Sequence, residues 1–303
     1  MKRLLIATAA FAACVSPALA KKDKVVFVTA SAVKDQPALA LDPARAYVLI
    51  RSNVAMPLHL MRIPSGEDQV KYDALKAEAF AEAREKYAKK KASYEKAKAA
   101  YDKAKAAYDK APTRVLKPVP PEELVEPTEA NFEFTPFGLM TGVSIGPLFR
   151  FAKGENGAST YLHAITPGRY RIYGTLSVVA NAGATGACFC MGSVGFEVKA
   201  GQVTDLGYLR ALTPDEIKVP AGDATRLFDS EKVEGYQFLQ AAPASWTLDP
   251  RLAGATVVQA KFWPVGKMPN YFGVSVGRMP PLAGVMRYER DRKTMLAPPE
   301  LKR

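Results

Sequence analysis

Between Ser159 and Tyr208, apolar and polar residues alternate in short runs separated by turn dipeptides. The runs 159–165, 169–180, 188–198 and 202–209 are rich in aromatic and β-branched residues. Pro167-Gly168, a glycine-rich break at 183–186 and Ala200-Gly201 interrupt them. Such spacing predicts successive antiparallel β-strands. In the second run Tyr170, Ile172, Gly174 and Leu176 fall on one face, and Arg169, Arg171 and Tyr173 on the other, which predicts a sheet with one buried face.

The same pattern recurs on either side. Ala-Tyr-Val-Leu-Ile-Arg at 46–51 predicts a strand, and 58–63 a second one, joined through 53–57 as a hairpin. Further strands are predicted at 25–28, 131–135, 139–145 and 148–152. In the tail, 227–240, 255–263 and 271–276 read as extended. Phe262, Trp263, Tyr271 and Phe272 need covering, so residues 211–303 are expected to pack on a β-domain made of 21–65 and 131–210.

From Gly66 to Ala111 the periodicity changes. The stretch has no proline and no further glycine, and Ala, Lys and Glu dominate it. Ser65 with Asp68 three residues later forms a capping-box start, and Pro112 enforces a stop. A continuous helix here would run roughly 69 Å at ~1.5 Å per residue. It carries near-perfect seven-residue repeats (KASYEKA, KAAYDKA, KAAYDKA over 91–111), which put Phe80, Tyr87, Tyr94, Tyr101 and Tyr108 on one face. Ala83, Ala97, Ala104 and Ala111 lie three residues further on, with Lys90 breaking the row. That narrow stripe must be covered by something slim.

The following segment has a three-residue period: Pro112, Val115, Pro118, Pro121, Leu124, Pro127 and Ala130. Polyproline II has three residues per turn, so these positions share one edge. The expectation is an arm over 66–130 in which Pro118 and Pro121 pack between the tyrosine rings on an antiparallel return. Its competitors are a helical hairpin bending near 89–91 and an intermolecular coiled coil on the same stripe.

Composition changes the picture in two places. The chain of 303 residues carries a net charge of +12, so anionic lipid, acidic polysaccharide and nucleic acid come into view as partners. Within 71–111, eleven Lys and one Arg face seven acids, many of them matched at i,i+4, as in Lys98–Asp102 and Lys105–Asp109. A solvated helix face accounts for that charge, and adhesion to an anionic surface polymer is the sharper reading. The N-terminus then argues against nucleic acid. Met1-Lys2-Arg3, the apolar run 4–13 and Ala18-Leu19-Ala20 form a secretory signal peptide with cleavage after Ala20. Lipoprotein processing at Cys14 is the rival. No other stretch offers the ~20 apolar residues a transmembrane helix needs, so a soluble periplasmic, cell-surface or secreted protein is expected.

Candidate chemistry is sparse. Two G-x-S-x-G matches, at 142–146 and 273–277, nominate Ser144 and Ser275 as nucleophiles, although neither is followed by the helical pattern of a nucleophile elbow. His59 and His163 are the only histidines, so any triad must use one of them. Cys188 and Cys190 flank Phe189. In an extended strand their Cα atoms would lie ~6.6 Å apart, near the upper limit for a disulfide. Buried thiols, a bridge through a bend, or a soft-metal site with Met191 all remain open. No ligand cluster for zinc or calcium is visible and no cofactor is expected.

Tyr161-Leu162-His163, then 166–171 (TPGRYR) and 196–201 (FEVKAG), resemble the uncharacterised β-sandwich domains of Gram-negative envelope proteins and lipoproteins. The resemblance covers 46–63 and 131–209; it implies a fold and a compartment, and no activity. Residues 66–130 are similar in pattern to the stalks of streptococcal antigen I/II adhesins, where a Tyr- and Ala-rich helical repeat packs along a polyproline strand. Here the segment is far shorter, and its two halves are contiguous. Together these readings predict an antiparallel β-sandwich with an inserted arm, exported, acting by binding or spacing on an envelope protein or anionic polymer. The alternative is a serine hydrolase using Ser144 or Ser275.

Overall fold

The computed structural model describes residues 25–112, 116–154, 157–179, 183–190, 192–213, 235–272, 277–288 and 295–296. The expected leader 1–20, Cys14, Met191 and Ser275 lie outside the described residues. Strands β1 (Ala30–Val33), β2 (Ala46–Ser52) and β3 (Leu58–Arg62) precede the long helix α1 (Gly66–Lys110). A short helix α2 (Phe137–Met140) leads into β4 (Gly142–Ile145), β5 (Ala152–Lys153) and β6 (Ser159–Ile165). Then come β7 (Gly168–Val179), β8 (Gly183–Cys188), β9 (Ser193–Val198), β10 (Gln202–Ala211) and β11 (Tyr236–Leu239). After a 3-10 turn at Pro250–Leu252 follow β12 (Thr256–Gln259), β13 (Trp263–Val265), β14 (Gly277–Arg278), β15 (Arg287–Tyr288) and β16 (Met295–Leu296).

The molecule is mainly strand, with two seven-stranded sheets and one long helix in a sandwich-like arrangement. One sheet runs β1-β6-β2-β10-β11, with β5 on β6 and β12 on β10; the other runs β13-β9-β7-β3-β4, with β8 on β7 and β14 on β8. Both are mixed, which corrects the purely antiparallel expectation. β10 pairs in parallel with both β2 and β12, and β14 in parallel with β8.

The reason lies in the short links. Residues 53–57 carry the chain from β2 in the first sheet to β3 in the second, so the expected hairpin there is an arch between sheets. Thr166-Pro167 does the same between β6 and β7, and residues 199–201 between β9 and β10. β2 has no edge left for β3, because β6 and β10 occupy both. β10 re-enters the first sheet at the end where β2 begins, with the Gly201 N–H donating to the Arg45 carbonyl at 2.9 Å, and so the two run parallel.

Val48, Ile50, Leu60, Ile172, Val194 and Phe196 meet between the sheets. The outer faces are covered as well, which corrects the expectation of one buried face. Tyr47, Leu49, Phe151, Leu162 and Leu252 cluster outside the first sheet, and Met61, Tyr173, Leu176, Cys188 and Met268 outside the second. Every residue of β2 is buried. Leu176 leaves the face predicted for it because the β3–β7 register shifts between His59 and Leu60, making Tyr173 an extra residue on β7. A bulge flips every side chain beyond it. Gly174 permits the bend: its φ is +153°, and a Cβ there would run into the Ala187 carbonyl.

Residues 25–28 and 131–135 form no strand, Leu139 and Met140 belong to α2, and only Ala152 of the expected 148–152 strand is paired. The alternation of Phe132 and Phe134 serves the helix instead of a sheet: Phe132 meets Phe80 at 5.1 Å, and Phe134 meets Tyr72 at 5.4 Å between ring centroids. Among the described residues no helix is long and apolar enough to cross a membrane.

Candidate functional site

The base of the arm is the most heavily bonded junction of the helix. Ser65 caps α1: its hydroxyl oxygen accepts from the Asp68 N–H, and the Asp68 carboxylate accepts from the Ser65 N–H at 2.8 Å. The same carboxylate accepts from Arg62 Nη1 on β3. Asp68 is the buried residue of the helix. Burial pushes its pKa up, but the Ser65 hydrogen bonds and the Arg62 charge outweigh that and hold it below the usual carboxylate range. One turn on, Tyr72 stacks on Phe137 at 4.5 Å, and Phe137 meets Phe27 edge-on at 5.0 Å. The Tyr72 hydroxyl donates to the Thr135 carbonyl. Helix, return chain and β-domain are thus tied at one point.

Beyond that point, Phe80, Tyr87, Tyr94, Tyr101 and Tyr108 are half-buried while the positions between Tyr87 and Tyr108 are exposed. In the segment that follows, Pro118, Pro121, Leu124 and Pro127 are half-buried and their neighbours exposed, Leu116 and Val119 almost fully. Lys86–Glu82, Lys89–Glu85 and Lys105–Asp109 form i,i+4 ion pairs on the solvent side.

Ser144 stands directly across the β3–β4 ladder from His59. Its Oγ is 3.2 Å from His59 Nδ1, and His59 Nε2 is 3.2 Å from the Leu176 carbonyl. A carbonyl only accepts, so Nε2 carries the proton and Nδ1 accepts from the serine hydroxyl. Burial lowers the His59 pKa, partly offset by the Leu176 hydrogen bond. This is the serine–base half of a nucleophilic dyad. The third position holds a carbonyl where a triad has a carboxylate, and Ser144 is exposed within a strand, not on a strand-to-helix turn. Directly opposed residues in a ladder touch in any case.

His163 lies in the sandwich interior, where its Nε2 accepts from the Gly146 N–H, and burial lowers its pKa to about 4. Cys188 and Cys190 are joined as a disulfide with Cα atoms 5.3 Å apart. The chain leaves β8 at Cys188, and this bend shortens the extended-strand distance. Both sulfurs are spent on each other, which corrects the metal candidacy of the pair. Among the described residues no group of His, Cys, Asp and Glu is arranged to hold a metal ion.

One site had no signal strong enough to find it from sequence. A cavity of about 400 Å³ opens on the outer face of the first sheet, floored by Leu49, Arg51 and Thr160 and walled by Trp246. Arg51 follows five consecutive apolar or aromatic residues near the end of β2, which is the one legible hint. Trp246 arrives from a loop nearly 200 residues away in sequence. No known protein family, curated protein or solved structure matches the chain.

Proposed function

We propose that this is an exported envelope protein that works by binding and spacing, its β-domain holding an arm formed by residues 66–130. The observation that carries the reading is the junction at Asp68, Arg62 and Tyr72, which ties a 45-residue helix to the β-domain at its first turns. At ~1.5 Å per residue such a helix reaches roughly 67 Å. The return segment is read as polyproline-like, because its half-buried residues recur every third position, as those of the helix recur every seventh. One polyproline turn advances about 9.3 Å and one heptad about 10.5 Å, so prolines and rings nearly keep step. The basic excess lies in the helix, where eleven Lys and one Arg face seven acids over 71–111, and that stretch favours an acidic partner, an envelope protein or an anionic surface polymer; the return segment with Glu122, Glu123, Glu126 and Glu129 does not share it.

The arm is tested by replacing Pro118 and Pro121 with Ser. Circular dichroism should show a loss of helix equivalent to at least about seven residues, because an uncovered Ala/Lys helix frays from its free end. Unchanged helicity, or dissociation of an oligomer on Tyr94→Ser with Tyr101→Ser, would mean that something else covers the stripe. The binding role is tested by retention on envelope fractions, comparing the mature protein with a version lacking 66–130; equal retention sinks it.

A second reading, serine hydrolysis at Ser144, is favoured by the 3.2 Å contact with His59. Against it stand the missing carboxylate and the exposed strand position. Treatment with a fluorophosphonate should leave Ser144 unmodified, and Ser144→Ala should change melting by less than about 1 °C, as for other surface substitutions. Stoichiometric labelling that disappears in Ser144→Ala would restore the enzyme.

A further inference from the structure

The cavity on the outer face of the first sheet combines features that a structural void would not need. Its volume, about 400 Å³, is within the range of small-molecule sites. Arg51 lines it with a side chain only 6% exposed. Both oxygens of Asp205 accept from Arg51 Nη1, at 3.0 and 2.8 Å. The Nε and Nη2 groups have no hydrogen-bond partner among the described residues, and they are not among the fully buried unpaired atoms, so this edge is reachable by solvent. Lys153 adds a second cation at the rim. The acid that lines the cavity is committed elsewhere: Asp249 accepts from the backbone N–H, Nε and Nη2 of Arg251. Arg51 is matched by Asp205 in the same way, so Lys153 is the cation of the lining that has no ion-pair partner among the described residues.

The wall beside Arg51 is flat and apolar. Trp246 is held by Tyr208 at 5.6 Å between ring centroids, and the Arg51 guanidinium lies 5.9 Å from its ring. Gly154 faces it from the other side, where a Cβ would come to 3.0 Å of the indole. The glycine lets the ring sit against β5 while Leu49 and Leu252 supply an apolar floor.

We propose that this cavity binds a small carboxylate bearing a flat apolar group. The carboxylate meets the Nε–Nη2 edge of Arg51, with Lys153 behind it, and the flat group lies along Trp246. A planar guanidinium edge matches a carboxylate with two parallel hydrogen bonds, and binding there satisfies donors that the fold leaves open. The site is separate from the arm, so its failure would leave the arm reading untouched.

The test is calorimetric titration of the intact mature protein with phenylacetate and with its neutral counterpart, phenylacetamide. Phenylacetate should bind one-to-one with a Kd of about 1 mM or tighter, and the amide at least about tenfold more weakly, having lost the charge-assisted pair. Lys153→Glu is a surface change and Trp246→Ala removes a half-buried ring, and each should weaken phenylacetate by about threefold or more. Arg51→Gln combined with Asp205→Asn removes the ion pair without stranding a buried charge, and should abolish binding while circular dichroism stays native. If the double variant fails to fold, the two single variants decide. Absence of saturable binding, equal binding of the amide, or full affinity in Trp246→Ala and Lys153→Glu would overturn the proposal.

Discussion

Asp68→Ala is expected to destabilise the protein by about 3–5 kcal/mol, the cost of stranding one member of a buried ion pair. Arg62 and Asp68 have side chains only 16% and 10% exposed, so solvent screens the pair weakly. The same substitution removes the reciprocal half of the capping box, which alone is worth about 1 kcal/mol. The two losses share one carboxylate and will not add in full. Asp68→Asn separates them, because the amide oxygen can still accept from the Ser65 N–H while the charge is gone. Equilibrium urea unfolding of the three proteins is the measurement. A loss below about 1 kcal/mol in Asp68→Ala would place the pair effectively in water. Asp68 also carries a pH signature. A carboxylate whose pKa is held down in the fold contributes stability above its ordinary pKa, and that contribution disappears as pH falls through the lowered value.

The second large effect is also a proton linkage, of a group buried in its neutral form. His163 has its pKa lowered to about 4 by burial, against about 6.5 in an unfolded chain. Between those two values the unfolded state takes up a proton that the native state refuses, so stability falls as pH falls. Fully developed, the loss is about 3 kcal/mol, at about 1.4 kcal/mol per pH unit across the window. His59, also lowered by burial, pulls in the same direction. The critical comparison is His163→Gln, whose side-chain oxygen can still accept from the Gly146 N–H but does not titrate here. Unfolding free energies measured from pH 7 to pH 4 should slope clearly less steeply in this variant. Parallel slopes in the two proteins would show that His163 is reached by solvent or protonates without cost.

What could be read in advance, and what could not, divides along the reach of the signal. The ends of α1 were legible because Ser65, Asp68 and Pro112 act within one turn of the chain. The strands at 46–51, 159–165 and 202–209 were legible because their apolar patterns are local. The destination of a turn is a different matter. Pro167-Gly168 ends a strand whether the next strand pairs with it or crosses to another sheet, and here three such links cross. The antiparallel expectation holds for most strand pairs and fails for β10 beside β2 for that reason. The bulge at Tyr173 depends on what β3 presents opposite it, so the face of Leu176 could not be read from β7 alone. Phe132 and Phe134 alternate like a strand but pack on a helix. The contact of Ser144 with His59 is set by ladder register, and the cavity at Arg51 by a loop from the far end of the chain. None of these is encoded near the residues concerned.

The chain leaves the second sheet after Arg62 and rejoins it at Gly142, and the Arg62 N–H donates to the Thr141 carbonyl at 2.9 Å. Everything between is, topologically, the loop of a β3–β4 hairpin. The ends of that loop stay in contact whatever its length, and doubling a flexible loop costs the fold only about 0.6 kcal/mol. The repeats Lys98–Ala104 and Lys105–Ala111 are identical in sequence. Duplicating or deleting one of them changes the reach by about 10.5 Å, since each adds seven residues at ~1.5 Å. The β-domain would register almost none of it. In the proposed spacing role such a repeat-copying event, matched by about three residues added to the return segment, would reset the reach in steps of one heptad without renegotiating the core.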